Sequence, residues 1–540
     1  MRRSLVVLLS GAAIGFPAAA SAAPVLVLGR DGHATVRNDP FVTGPAITPV
    51  PGARPAPGPR PAPGPRPVPG RQPTTAAARS REAPSAQIAR RHRRRRTRPQ
   101  ITFLSELQRL QRHGQLTMPA YRTAVGTFRA ALATERRLRG ARRAELEAVT
   151  ETMHGIAASH QLTTSRLPAI LATLSANTQW WSSGPIPAPD ERVELAGSQL
   201  VWEYYPGQGI QLQVLGSFGK ADGLYTAGPA DYPQLEQLLS ELIPLAARRA
   251  GGIAWEYYFH FDGGSPPWTS AMSQATALEA LSRAYKATGN SSYLGVGEQA
   301  LALFSAPPPT GVTVPTQLGD RFVQYTFTPD TAIINAFLQT LIGLHDFAQA
   351  SGDPMASSLF AAGDAEAQAE VPSYDTGAWS LYQPGVEDTL SYHELVTGFL
   401  AQLCTDTSAP VYCTTAQHFQ ADLKTPPVIT QRTLRATARR PFRLHFTLSK
   451  YSHAGIVVTR GSQTLFQTSA GFPYGNDSFS IPALRAPGMY GVRLAATDLA
   501  GNFTRAVGTL HLSGPPPRRR RGHRGGGSGG ASGGGATLGA

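Results

Sequence analysis

From Ile101 to Leu174 apolar residues recur at intervals of three and four, first as Leu104, Leu107 and Leu110, then as Leu132, Leu138 and Leu146, among many arginines and glutamates. That spacing lines one face of an α-helix and predicts two or three amphipathic helices within residues 101–185. Between Arg192 and Tyr225 the text changes to short alternating runs, "RVELAGSQLVWEYY" and "GIQLQVLGSF", separated by glycine, so residues 186–231 read as strands and hairpins. Helical spacing returns over residues 232–425. "SAMSQATALEALSRAY" aligns Met272, Ala275, Leu278, Leu281 and Tyr285, and "TAIINAFLQTLIGLHDF" aligns Ile334, Phe337, Leu341 and Leu344. Paired helices joined by Pro- or Gly-bearing turns pack most economically as an α/α toroid with a cleft among its inner loops. After Pro426 the period becomes two, with Phe442, Leu444, Phe446 and Leu448 on one face and Tyr490, Val492 and Leu494 on another, which predicts a small β-sandwich over residues 426–512. The expected fold class is multidomain α+β.

Composition changes the picture only at the ends. The formal charge is +15, but residues 1–100 hold 17 arginines against three acids and residues 513–540 hold five arginines against none. These ends carry +19 together, so residues 101–512 carry −4. A basic stretch such as "ARRHRRRRTRP" lacks interleaved aromatics and lies outside the predicted elements, so no specific nucleic-acid partner is expected. Residues 1–22 combine two arginines, an apolar run from Leu5 to Phe16 and small residues before a cut after Ala22, the pattern of a signal peptide for a secreted or cell-envelope protein. Residues 23–100 are assigned to a disordered Pro/Arg-rich linker, on the strength of "PGARPAPGPRPAPGPRPVPG", and residues 513–540 to a flexible Arg/Gly-rich tail. No later apolar run approaches the roughly 20 residues a membrane helix needs. Cys404 and Cys413 are the only cysteines, and an oxidising compartment favours their pairing over half a zinc site.

Four segments occur in order: "PPWTSAMSQATALEALSRAY", "QYTFTPDTAIINAFLQTLIGLHDF", "VPSYDTG" and "SYHEL". Together they resemble the C-terminal catalytic domain of D-glucuronyl C5-epimerases, which invert glucuronate to iduronate within polysaccharides. The segment "APGMYGVRLAATDLAGN" is similar to immunoglobulin-like modules appended to secreted bacterial proteins. The epimerase resemblance implies a β-rich portion followed by a helical toroid. It also implies catalytic tyrosines at Tyr325, Tyr374 and Tyr392, and it places Gln324 where the family has a glutamate. An amide cannot take a proton as a carboxylate does. No cofactor and no metal is expected, since no His/Asp/Glu cluster with ligand spacing stands out.

The chemistry suits those residues. The hydrogen at C5 of a hexuronate is α to the carboxylate, so inversion needs one group to remove it and another to return a proton from the opposite face. Tyrosine donates readily and acts as base only where its phenolate is favoured. His393, Arg321 and Asn335 are candidate donors to the enolate-like intermediate, and Trp268 is either a sugar platform or a core residue. Asp375 is expected to shape a turn with Gly377, and Arg283 to hold a neighbouring helix. Between "YDTG" and "YH" the sequence has no Arg or Lys, which argues for an unsulfated uronate polymer. A uronate polysaccharide lyase, and an inactive glycan-binding protein of the envelope, are the competing functions.

Overall fold

The computed structural model describes residues 23–41 and 101–514. The signal peptide, most of the linker and the tail from residue 515 lie outside the described residues. The chain forms two compact units that meet in sequence between Leu423 and Lys424.

The first unit opens with a correction. Residues 23–41, assigned above to the linker, form two strands, β1 (Ala23–Leu28) and β2 (Ala34–Asp39). They belong to a five-stranded sheet of order β2-β1-β3-β4-β5, with β3 at Arg192–Leu195, β4 at Trp202–Tyr205 and β5 at Gly209–Leu212. The β1 strand runs antiparallel to β2 and parallel to β3, with Leu26 opposite Val193. "APVLVL" is a short apolar strand whose signal is swamped by the proline-rich text that follows it; the distant β3 supplies its partner.

Four helices follow in the first half: α1 (Phe103–Arg112), α2 (Met118–Arg137), α3 (Gly140–Ala158) and α4 (Leu167–Ser183). That is one more than the spacing predicts, because the break at Leu138–Arg139 carries no proline to mark it. Thr102 and Ser105 form a reciprocal cap at the start of α1, satisfying two otherwise unpaired N–H groups. Glu145 on α3 accepts from the Tyr204 hydroxyl at 2.8 Å and from the amides of Gly207 and Gly209, which ties the helices to the β4–β5 turn. The β-rich reading of residues 186–231 holds to Leu212, after which Val214–Ala227 is a helix, α5. Phe218, Ala221 and Leu224 are fully buried at helical spacing, but burial of much of the rest of α5 hides the period.

Residues 214–423 repeat one plan. Helices α5 and α6 (Tyr232–Leu242) are followed by a β-hairpin, β6 (Ala247–Arg249) with β7 (Gly252–Ala254). Helices α7 (Ala271–Thr288) and α8 (Ser292–Leu301) are followed by β8 (Thr313–Pro315) with β9 (Asp320–Phe322). Helices α9 (Ile334–Ser351) and α10 (Pro354–Glu370) are followed by β10 (Leu381–Gln383) with β11 (Val386–Glu387), and α11 (Leu390–Thr407) with α12 (Pro410–Asp422) closes the series. The first helix of each pair packs on the first helix of the next, in the row α5, α7, α9, α11. Gly343 allows the α7–α9 contact, since a Cβ there would sit 2.1 Å from the Ala275 carbonyl oxygen. Gly289 and Gly352 end α7 and α9 in the left-handed conformation that glycine adopts at least cost. A Cys404–Cys413 disulfide spans the α11–α12 turn. Among the described residues no helix is long and apolar enough to cross a membrane.

The second unit has a three-stranded sheet, β12 (Ile429–Gln431), β14 (Phe442–Leu448) and β17 (Gly475–Ile481). Its other sheet has five strands: β13 (Arg435–Thr437), β19 (Phe503–Ser513), β18 (Gly488–Asp498), β15 (Ser452–Arg460) and β16 (Gln463–Phe472). Leu444, Phe446 and Leu448 from one sheet and Tyr490, Val492 and Leu494 from the other share one buried cluster, as the period of two requires.

Candidate functional site

The hairpins between helix pairs bring aromatic side chains together. After β7 the chain doubles back so that Tyr257 and Trp268 exchange backbone hydrogen bonds of 2.8 and 3.2 Å. Trp268 stacks on Tyr257 with ring centroids 4.2 Å apart and stands edge-on to Tyr325 and Phe327. Its indole N–H donates to the Phe259 carbonyl at 2.8 Å, and only 2% of the residue is exposed. Trp268 is therefore the floor of the aromatic cluster rather than a platform open to a sugar. Tyr325, just after β9, stacks on Phe327 at 5.3 Å and leans on Phe261 at 5.6 Å. Gln324 beside it is buried, its Oε1 3.4 Å from the Ser270 hydroxyl, which donates.

Two further phenols join Tyr325. Tyr392 lies in the first turn of α11, and its ring centroid is 5.2 Å from that of Tyr382 on β10. Burial pushes the Tyr325 phenol well above its ordinary range, the nearby Tyr382 and Tyr392 push it further, and a hydrogen bond from Gln324 opposes them. Tyr382 is raised chiefly by burial, then by Tyr392, Asp388 and Asp262. Tyr382 on β10 and Tyr392 on α11 thus both act electrostatically on Tyr325 in the loop after β9. Sequence reasoning passed over Tyr382; the available signal was that it is the middle of three tyrosines in residues 371–395.

Tyr374 is placed elsewhere. Its hydroxyl is 2.7 Å from Glu370 Oε1 and 3.0 Å from the Ala332 carbonyl. Arg321, proposed as a ligand for substrate, is paired with the same Glu370, its Nε donating at 2.9 Å. Burial and Glu370 raise the Tyr374 phenol, with Arg321 opposing. These three side chains satisfy one another. Asn335, in the first turn of α9, is 4% exposed, and its Oδ1 has no hydrogen-bond partner among the described residues. Arg283 pairs across helices with Asp222 of α5 and, one turn back on its own helix, with Glu279, and Asp375 accepts from the Gly377 amide at 2.8 Å, both as the sequence suggests.

His393 is fully buried behind the tyrosines. Its Nε2 donates to the Phe419 carbonyl at 2.9 Å, and its Nδ1 accepts from the Ser380 amide at 3.2 Å. Ser380 Oγ lies 2.7 Å from Nδ1 and 2.5 Å from Asp388 Oδ2, while Trp379 stacks on the imidazole at 4.2 Å. One hydroxyl proton cannot serve both neighbours. With Asp388 protonated, the carboxyl donates to Ser380 and Ser380 to His393; with Asp388 ionised, Ser380 turns to the carboxylate. Burial raises the Asp388 carboxyl to about 7. His393 therefore orients this segment and does not face a ligand. Among the described residues His345, Asp346 and Asp406 form a group able to hold a metal ion, their ligand atoms within 4.8 Å of one another.

Residues 250–421 match the family described as D-glucuronyl C5-epimerase C-terminus. This segment belongs to that family. The D-glucuronyl C5-epimerase of Caenorhabditis elegans is 32% identical over 130 residues, 22% of this chain and 21% of that protein. An uncharacterized protein of Methanocaldococcus jannaschii is 29% identical over 137 residues, 24% of this chain and 44% of that one. The chain thus spans less than half the length of these curated relatives. A solved cellobiose 2-epimerase from Bacillus thermoamylovorans overlaps 53% of this chain and 76% of its own, at a TM-score of 0.32 and 9% identity, too slight a likeness to bear on fold or chemistry. The coupled tyrosines, the Asp388 group and the row from α7 to α11 all fall inside the C5-epimerase C-terminal domain; the N-terminal helices and five-stranded sheet lie before it.

Proposed function

We propose that the C5-epimerase C-terminal domain inverts C5 of hexuronate residues in an anionic polysaccharide by two-sided proton transfer. What carries this reading is the gathering of Tyr325 and Tyr392, both buried, with the half-buried Tyr382, from the loop after β9, the first turn of α11 and β10. Burial raises the Tyr325 and Tyr382 phenols above their ordinary range, so both are protonated at neutral pH, and charge on a neighbouring phenol raises each further. The group therefore holds at most one phenolate among neutral neighbours, which is one base beside acids. An ionised phenol takes the C5 proton, a neutral phenol returns one from the opposite face, and the remaining hydroxyl with Asn335 donates to the enolate between these steps. Because the family glutamate is Gln324 here, the base falls to a phenol, and turnover rises with pH through the alkaline range.

The finer architecture belongs to the same proposal: an α/α toroid built from the helix row, an immunoglobulin-like sandwich after it, and export by the arginine-headed apolar start. The absence of Arg and Lys between Tyr374 and Tyr392 favours an unsulfated polymer. The test is incubation with glucuronate, mannuronate and galacturonate polymers in deuterated water. Deuterium at C5 without chain cleavage is the expected result. Unsaturated ends would replace the reading by a lyase. Binding of a polymer with no exchange would favour a second reading, a glycan-binding protein without turnover, which Gln324 supports by removing the family carboxylate.

A further inference from the structure

A cavity of about 630 Å³ opens between the N-terminal helices and the hairpins of the epimerase domain. Gly155 of α3, Arg166 at the start of α4, Arg248 and Arg249 of β6, His260 and Pro267 are on its wall. Its cations are built in. Arg166 donates through Nε and Nη2 to Glu256 at 2.7 and 2.9 Å, and its Nη1 donates to the Gln161 carbonyl at 2.8 Å. Arg249 donates to the same Glu256 at 2.5 Å and to the carbonyls of Thr310 and Pro309. The side chains of Arg166, Arg249 and Glu256 are 10%, 9% and 0% exposed. One carboxylate shared by two guanidiniums leaves a fixed positive excess. Arg249 spends three of its five N–H groups on these partners and keeps two. Arg248 adds an exposed guanidinium with no partner among the described residues.

This concentration of charge is unusual for a body that carries −4 over residues 101–512. A low-dielectric cleft with fixed guanidiniums attracts an anion more strongly than the same charges on an open surface. The cleft also adjoins the tyrosines through one hairpin. His260 and Pro267 face the cavity, while their neighbours Phe261 and Trp268 pack against Tyr325.

We propose that this cleft is a second, non-catalytic subsite that binds carboxylate-bearing sugar residues of the polymer away from the ring held at the tyrosines. The proposal takes its ligand class from the function proposed above. Arg248 is the cation that engages the ligand, and Arg166 and Arg249 supply the fixed field and the remaining N–H groups.

The experiment is calorimetric titration of the full chain with a hexameric glucuronate oligosaccharide, with neutral cellohexaose alongside. Arg248→Glu should weaken glucuronate binding about tenfold, the scale of one charge-assisted contact, and the wild-type affinity should fall as salt is raised. Arg129→Glu, the same charge change at an exposed position on α2, should leave binding unchanged. Gly155→Phe gives an independent block, since a Cβ at Gly155 meets nothing within 4 Å and the ring has the cavity to enter. Wild-type affinity in both Arg248→Glu and Gly155→Phe would overturn the subsite, as would cellohexaose binding equal to glucuronate. Deuterium exchange at C5 separates the two proposals. Exchange with unaltered binding in both variants removes the cleft and leaves the catalysis; weakened binding in a protein that never exchanges leaves the cleft and removes the catalysis.

Discussion

Tyr382 and Tyr374 are eight residues apart and have opposite surroundings, so they separate chemistry from support. Tyr382→Phe removes a hydroxyl from the coupled group and should slow C5 exchange by about 10²–10⁴-fold with an unchanged melting temperature. Tyr374→Phe leaves Glu370 to Arg321 alone. It should retain exchange and lose about 1–3 kcal/mol of stability in denaturant unfolding, the range for a hydrogen bond to a charged group. Asp388 makes a pH prediction. Burial holds its folded-state carboxyl near 7 against an ordinary 3.8, so the native state binds the extra proton. Its contribution to stability is greatest below pH 4, falls by about 1.4 kcal/mol per pH unit between 4 and 7, and is constant above. Asp388→Asn keeps a donor for Ser380 and removes the titration. Melting temperatures across pH 4–8 should fall less steeply in the variant than in the wild type. Parallel curves would remove Asp388 as the titrating group.

Among the elements, the long helix stripes were legible, while α5 and the β-hairpins between the helix pairs were not. The α7 and α9 stripes are long enough to show a period, whereas strands of two or three residues such as β8, β9 and β11 have none. Yet those hairpins and the loops around them hold Gln324, Tyr325 and Tyr382, because loops and element ends present side chains that packed helices bury. The α7–α9 contact fixes the spacing of neighbouring loops. Gly343→Ala would place a methyl 2.1 Å from the Ala275 carbonyl and force the helices apart. A loss of about 1–3 kcal/mol is expected, and slower exchange with it, since Ser270 and Asn335 lie at the N-terminal ends of these two helices. Unfolding and exchange measured on one preparation check both.

At the scale of the whole molecule, separate buried clusters predict separate folding. A chain ending at Leu423 should keep the first unit's melting transition and its exchange activity, because Leu444, Phe446 and their neighbours contribute nothing to the first unit's core. A chain beginning at residue 101 should not. It loses β1 and β2, uncovers the edge of β3, and strips buried Lys220 of Asp39, 3.1 Å away, leaving only Glu194 at 2.7 Å. Breaking a buried pair costs about 3–5 kcal/mol, so a lowered melting transition relative to a chain beginning at Ala23 is the expected result. What the sequence determined by itself was whatever repeats locally: the helical stripes, the strands of period two in the second unit, the charge-rich ends, and the order of motifs marking the epimerase domain. Each of these is set by neighbours along the chain. The tertiary structure alone decided that Tyr382 joins Tyr325 and Tyr392, that Glu370 draws Tyr374 and Arg321 away, that His393 is sealed behind Ser380, and that residues 23–41 complete a sheet with strands more than 150 residues distant. Those outcomes depend on which partner is nearest in space, and proximity in space has no period to read.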